Sequence, residues 1–545
     1  MSGLSSAQTI PALLAEQAAL GSHPAIVEGD RVVSYAELEH LVHGVSRALI
    51  ANGVGRGDRV AVWAPNRTEF ILAMLGAQAI GAPVVPLNTR YTGREAAEIL
   101  DRSRASALLL ADGFLGRSFS GMLTDALAAA DAETPTLDSL RVIVNMDDVD
   151  SSGCLGWSEF LAQGEAVSDE TLRAALDAVD PDDLDDFDDL DDLDDLDDIL
   201  YTSGTTGRPK GVMSAHRQTI GVAHAWATGA NLSSEDRYAV VNPFFHGFGY
   251  KAGLVASLIA GATIYPVDVF APDSLLALIA SARISVLPGV PTIFTSLIDH
   301  PRLHEYDLSS LRFAIAGATT AADSLFHDMV NILGFKTVAQ AYGLTECVVA
   351  TLSRPGEDLE HTAQTTGPAV EHTEIRVINE AGEDLPVDTD GEILLRGANV
   401  MLGYFEDQAA TDSAIDSDGW FHTGDVGRLD EHGCLKITDR IKDMFIVGGF
   451  NVYPAEIENV LRRHPAVNES AVIEIPDARL GHVGRAYVAL LHDADPRPDS
   501  AALEAFCRER LANFKVPREF VFVEEFPRNA TGKIQKAELR AAATV

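Results

Sequence analysis

The chain has 545 residues, 46% of them hydrophobic and 22% charged, and a formal net charge of −40. It is too long for one ordinary core, so two or more domains are expected, with a composition typical of a globular protein. Such acidity disfavours nucleic acid and anionic lipid as partners.

MSGLSSAQTIPALLAEQ, at the start, lacks the basic opening and apolar core of a signal peptide. DRVAVWAP (58–65) is expected as a strand, followed by a helix over EFILAMLGAQAIG. The apolar run from Phe70 to Leu87 is about long enough to span a bilayer. Gly76, Gly81 and Pro83 interrupt it, so it is expected as a buried helix turning into a buried strand, with no membrane insertion. Cys154, Cys347, Cys434 and Cys507 are scattered without a CxxC pair. They fit idle or buried thiols in a reducing cytoplasm better than a disulfide frame or zinc site.

Twelve aspartates lie between Asp182 and Asp198, in the run DDLDDFDDLDDLDDLDDIL. Its period of three matches neither an amphipathic helix nor a half-buried strand. Dense like charge predicts a solvated, inert acidic loop over about 181–198. No glycine turn or spaced ligand pattern supports calcium there.

YTSGTTGRPKGV (201–212) follows at once. Gly204 and Gly207 allow backbone N–H groups to turn toward an anion. Ser203, Thr205 and Thr206 add hydroxyls, and Lys210 adds a positive charge. The spacing is not that of the GxxxxGK[ST] loop, because Pro209 precedes the lysine and Gly211 follows it.

Further strands are expected at ATIYPV (262–267), ISVLPGVP (284–291) and RFAIAGAT (312–319). Strands alternating with helices imply parallel or mixed sheets covered by helices. After about Gly391 the texture turns to short strands, as in GEILLRG and GWFHTGDVGRLDEHGCLKITDR. A compact segment mixing helices and strands closes the chain. The expected fold is α/β: a large N-terminal domain over 1–439 with a β-rich subdomain, then a small α+β domain over 440–545. The boundary falls in ITDRIKD (437–443).

The full string YTSGTTGRPKGV resembles the signature of the adenylate-forming superfamily, which includes acyl- and aryl-CoA synthetases. AYGLTE (341–346), HTGDVG (422–427), ITDRIKDM (437–444), GGFNVYPAEIE (448–458) and PRNATGK (527–533) follow in that family's order. The resemblance covers about residues 30–535. It implies ATP, Mg2+ and coenzyme A as cofactors and a small-molecule carboxylic acid as substrate, with a mobile C-terminal domain.

By the same resemblance, Lys533 bridges carboxylate and α-phosphate, Thr345 reaches the α-phosphate, and Glu346 holds magnesium. Thr202, Ser203, Gly204, Thr205, Thr206, Gly207 and Lys210 cradle the nucleotide phosphates. Tyr342 lies beside adenine, and Asp425 and Arg440 lie at the ribose, although a plain turn aspartate is the alternative for Asp425. Attack of a carboxylate on a phosphate must overcome charge repulsion, so positioning and charge neutralisation are what such a site has to supply. Lys442 falls at the family's hinge, and Gly448 and Gly449 fall in the loop that would line the coenzyme A channel.

The acyl pocket is expected along NPFFHGFGYKAG (242–253), with His246, Gly249 and Tyr250, along AGAT (316–319), with Gly317 and Ala318, and around Gly343. His246 could equally be a packed core histidine. VVPLNTRYT, NPFFHGFGYKAG and DRIKDMFIVGGFNVYPAE resemble the branch of bacterial ligases that activates a steroid C/D-ring propionate, a methylindane-dione propanoate. Phe244, Phe245, Phe248 and Tyr250 suit a compact fused-ring acid. A medium- or long-chain fatty acyl-CoA ligase is the alternative, and a CoA-independent adenylating protein or a non-catalytic relative would be of another class. A homodimer is compatible with the sequence.

Overall fold

The computed structural model describes residues 4–128, 135–148, 153–179, 196–202, 209–317, 323–440, 443, 445–447, 450–452, 454–477, 480–492, 494–511, 513–528 and 533–543. The large N-terminal part is built on an eight-stranded sheet. Its strands run in the order Gly403–Tyr404, Lys210–Ala215, Leu196–Thr202, Val84–Pro86, Arg59–Trp63, Ala105–Leu110, Val142–Asn145 and Leu155–Gly156. From Leu196–Thr202 to the last strand every pairing is parallel, whereas Lys210–Ala215 and Gly403–Tyr404 join antiparallel at the other edge.

Parallel strands covered on both faces should read as continuous apolar runs. ASALLL, at Ala105–Leu110, is buried at every position. The helix after the first of these strands, Thr68–Gln78, buries all its residues except Glu69. The chain then turns through Gly81 in a left-handed conformation (φ 69°) into Val84–Pro86. The Phe70–Leu87 run is thus core. Among the described residues no helix is long and apolar enough to cross a membrane.

A second sheet pairs Arg237–Val240, Thr263–Pro266, Pro24–Glu28 and Arg31–Ser34, and a third pairs Phe313–Ala316, Thr337–Leu344 and Cys347–Leu352. The expected strand over 284–291 is reduced to isolated bridges. Val286 joins Tyr238 and Phe313, and Gly289 joins Ala316. Pro288, between them, lacks the N–H a ladder needs. An antiparallel sheet of Thr373–Ile378, Gly391–Gly397, Phe421–Leu429 and Leu435–Arg440 follows.

The C-terminal part has its own sheet around Val467–Asp477 and Gly481–Leu490, flanked by the helices Pro454–Arg462, Ser500–Arg508 and Lys536–Ala543. Its buried apolar cluster runs from Phe445 to Leu539 and draws on no residue before Phe445.

Candidate active site

The phosphate loop is the tip of an antiparallel hairpin formed by Leu196–Thr202 and Lys210–Ala215. Thr202 pairs with Lys210, so both ends of the loop are pinned. Ser203, Gly204, Thr205, Thr206 and Gly207 lie outside the described residues, as do Ala318, Lys442, Gly448, Gly449 and the side chain of Arg440.

A second hairpin, Thr337–Leu344 and Cys347–Leu352, places Thr345 and Glu346 at its turn, with Leu344 opposite Cys347. Gly343 is required just before the turn. A Cβ there would stand 2.0 Å from the Val348 carbonyl oxygen. Tyr342 leaves this hairpin to donate its hydroxyl to Asp425 Oδ2 at 2.7 Å. Burial and the Asp425 charge raise the Tyr342 phenol well above its ordinary range, so it stays a neutral donor. Asp425 is itself buried, on Phe421–Leu429, directly across the ladder from Arg440.

The two hairpins meet through Tyr404, a residue the sequence reading missed. Lys210 Nζ stands 4.5 Å from the centre of the Tyr404 ring. The Tyr404 hydroxyl donates to Glu346 Oε1 at 2.8 Å. Gly403 and Tyr404 pair with Met213 and Val212 of the phosphate hairpin, and Met401 N donates to the Glu346 carbonyl at 2.8 Å. The signal was present in MLGYF (401–405), an aromatic in a glycine-flanked strand soon after GEILLRG.

The half-buried Glu346 carboxylate offers hard oxygens beside the phosphate hairpin, a donor of the kind magnesium takes, so the site fits the metal. Glu346 would hold it, and bound magnesium would offset phosphate charge.

The segment expected to line the acyl pocket adjoins the second hairpin. The side chain of Val348 would be 2.7 Å from a Cβ on Gly247, and the Phe248 ring would be 3.6 Å from one on Gly317. His246 is half-buried. Its Nδ1 accepts from Phe248 N at 3.2 Å, and burial lowers its pKa, so the ring is neutral at neutral pH. Gly249 is required by packing, because a Cβ there would be 2.3 Å from the carbonyl oxygens of Asn242 and Pro243.

Tyr250 departs from its expected role as a pocket wall. It is fully buried, and its hydroxyl donates to Asp197 Oδ2 at 2.6 Å. Phe244 is also core, against Phe70 at 5.4 Å between ring centres. Pro243, Phe245, His246 and Phe248 are the half-buried members of the segment. Lys533 is exposed on the C-terminal part.

The acidic run also needs correction. It does not extend as a solvated loop to residue 198: Leu196–Thr202 is a strand, and Asp197 and Asp198 are wholly buried. The reason is a set of buried donors. Asp198 Oδ2 meets Lys251 Nζ at 2.8 Å and Thr219 Oγ1 at 3.0 Å. Asp197 meets Tyr250, Gln78 Nε2 at 2.7 Å and His216 Nδ1 at 3.1 Å.

Comparison with known proteins agrees with this architecture. The family model described as AMP-binding enzyme matches residues 14–405, and that of the AMP-binding enzyme C-terminal domain matches residues 456–533. The chain belongs to the AMP-binding enzyme family. It is 45% identical over 523 residues (95% of this chain, 96% of the other) to a protein of Rhodococcus jostii (strain RHA1) named 3-[(3aS,4S,7aS)-7a-methyl-1,5-dioxo-octahydro-1H-inden-4-yl]propanoyl:CoA ligase. A Mycobacterium tuberculosis (strain ATCC 25618 / H37Rv) protein of the same name is 46% identical over 539 residues, 98% of both chains. The ATP-bound crystal structure of MatB from Rhodopseudomonas palustris superposes with a TM-score of 0.82 at 30% identity, covering 98% of this chain and 99% of that one. As a member of this family, the chain is an AMP-forming acyl-CoA synthetase that uses ATP, Mg2+ and coenzyme A.

Proposed function

We propose that this AMP-binding enzyme joins a ring-bearing propanoate of the methylindane-dione type to coenzyme A through an acyl-adenylate. The observation that carries the substrate class is the 45–46% identity, over nearly the whole chain, to two ligases named for that acyl group. The half-buried Phe245, and the half-buried Phe248 beside Gly317, are compatible with a compact fused-ring acid.

In this reading Lys210, Thr202 and the loop between them take the phosphates, and Thr345 reaches the α-phosphate. Asp425 and Arg440 hold the ribose, with Tyr342 beside the adenine. Lys533 neutralises the repulsion between carboxylate and α-phosphate while the new P–O bond forms. The domain division at 439/440 serves the second step. Rotation about Lys442 brings Gly448 and Gly449 to the pantetheine arm, where glycine lets backbone approach closely.

The test is coenzyme A-dependent AMP release over a panel of acids, from acetate through palmitate to ring-bearing propanoates. Catalytic efficiency should fall at least tenfold, about 1.4 kcal/mol, from the ring propanoate to a saturated C8 or C16 acid. A preference for palmitate would move the assignment to a fatty acyl-CoA ligase. Lys533→Ala should cripple adenylation yet spare coenzyme A transfer from supplied acyl-AMP, and equal loss in both steps would remove its assigned role.

A further inference from the structure

The buried polar cluster beneath the phosphate hairpin has no part in the chemistry described so far. Along Leu196–Thr202, Leu196 pairs with Ala215 and Asp198 with Ser214, so Asp197 is one residue too many for its partner strand. That is a β-bulge, a device that bends a strand and re-aims side chains. Consecutive strand residues otherwise face opposite ways. Here Asp197 and Asp198 reach the same two helical segments: His216 and Thr219 on one, Tyr250 and Lys251 on the other.

Lys251 is the centre of this cluster. It is 1% exposed, with its Nζ 2.8 Å from Asp198 Oδ2 and 2.8 Å from Ser214 Oγ. It therefore binds both strands of the phosphate hairpin at the bulge. It also lies within the expected acyl segment 242–253, two residues after Gly249. Gln78 adds the end of the central helix, donating to Asp197 and to the Tyr250 hydroxyl. A well-packed apolar cluster would often be at least as stable as a buried ion pair of this kind. What such a pair adds is register: a one-residue slip of Leu196–Thr202 would carry a leucine or isoleucine into the carboxylate positions.

We propose that the Asp197–Asp198 bulge, held by Lys251, is a register lock that fixes the phosphate hairpin relative to the acyl segment. Lys251 and Asp198 are then positioning residues for acid activation, acting through the loop without touching substrate. The inference rests on the acid-activating reading of the site but not on the identity of the acid.

The experiment is acid-dependent ATP–pyrophosphate exchange, run with whichever acid the unmodified enzyme adenylates best, so that a wrong substrate class is seen first and separately. The doubly substituted Lys251→Met/Asp198→Asn variant removes the lysine and its paired carboxylate together, and it leaves Asp197 with its own donors on Tyr250, Gln78 and His216. It should keep its thermal midpoint within a few degrees, yet raise KM for ATP at least fivefold and lower the exchange kcat at least tenfold. If this folded variant keeps kcat and both KM values within twofold, the cluster serves stability alone and the proposal fails. Should the double variant not fold, Lys251→Arg keeps the charge but changes its geometry. It should fold and still raise KM for ATP at least threefold, and an unchanged KM would overturn the proposal.

Discussion

The hairpin expected to carry the phosphate loop and the hairpin that carries Thr345 and Glu346 are held by opposite means. Each is an antiparallel pair with one irregularity of register, at the end of the stem far from the turn in the first and beside the turn in the second. The stem of the first is fixed by buried charge: two carboxylates, a lysine and their hydrogen-bond partners, all beyond the reach of water. The second is fixed by close backbone approach, with Gly343 against the Val348 carbonyl, while its working side chains are half-buried. A loop that must wrap a highly charged ligand gains from an anchor that cannot slip in register. In the proposed reading, a turn that offers one carboxylate to a metal needs only a rigid, short path.

The sharpest way to break the comparison is Gly343→Ala. A methyl group cannot fit 2.0 Å from a carbonyl oxygen, so the backbone at the Thr345–Glu346 turn must move. Adenylation efficiency should fall at least a hundredfold, about 2.7 kcal/mol, as read by pyrophosphate exchange, while circular dichroism reports a folded chain. Retention of activity within threefold would show that this turn is not held by backbone contact.

The charged anchor should reveal itself through pH. Burial, with the Asp197 charge adding to it and Lys251 opposing it, raises the Asp198 carboxyl to about 6. A raised carboxylate pKa adds stability that is complete below the ordinary carboxylate range and is lost as pH climbs through about 6. Relative to the natural chain, Lys251→Met/Asp198→Asn should therefore be more stable at pH 7.5 than at pH 5. Urea midpoints at the two values measure this, and the same relative stability at both would contradict it.

Tyr404→Phe sharpens the link between the hairpins. It keeps the ring beneath Lys210 but removes the hydroxyl that orients Glu346. A hydrogen bond to a charged group contributes roughly 1.5–3 kcal/mol. Part of that should appear as a threefold to tenfold rise in the magnesium needed for half-maximal adenylation. No change in magnesium dependence would assign Tyr404 to packing alone.

The smallest effect should come from deleting residues 182–193, which precede the anchored strand. Exposed charges are screened beyond about 8 Å at physiological ionic strength, so kcat should stay within twofold. A tenfold rise in KM for ATP at that ionic strength would instead place the run in the nucleotide site.

Much of this molecule was legible because its elements follow local rules. The strand in DRVAVWAP, the helix over EFILAMLGAQAIG and the GEILLRG strand declare themselves by hydrophobic pattern, and the nucleotide motifs by strings far more specific than their composition. Three features were not legible. Asp197 and Asp198 look like the rest of an acidic repeat, and only partners distant in the chain, Gln78 and Tyr250 on Asp197 and Lys251 on Asp198, make them core. Tyr250 reads as a pocket aromatic until its hydroxyl is seen on Asp197. Tyr404 acquires a role only when its strand docks beside the phosphate hairpin. In each case the deciding partner is distant in sequence, and local pattern carries no information about it.

The period of the acidic run has a further consequence. Each unit has two aspartates followed by an apolar residue, and the unit that enters the core, Asp197–Asp198–Ile199, has the same form as those before it. Gain or loss of whole triplets upstream leaves an aspartate pair at the bulge and an apolar residue after it. Gain or loss of one or two residues would leave the strand a choice between its buried partners and its upstream spacing. Changes in steps of three therefore preserve the sequence pattern that the bulge at 197–198 requires.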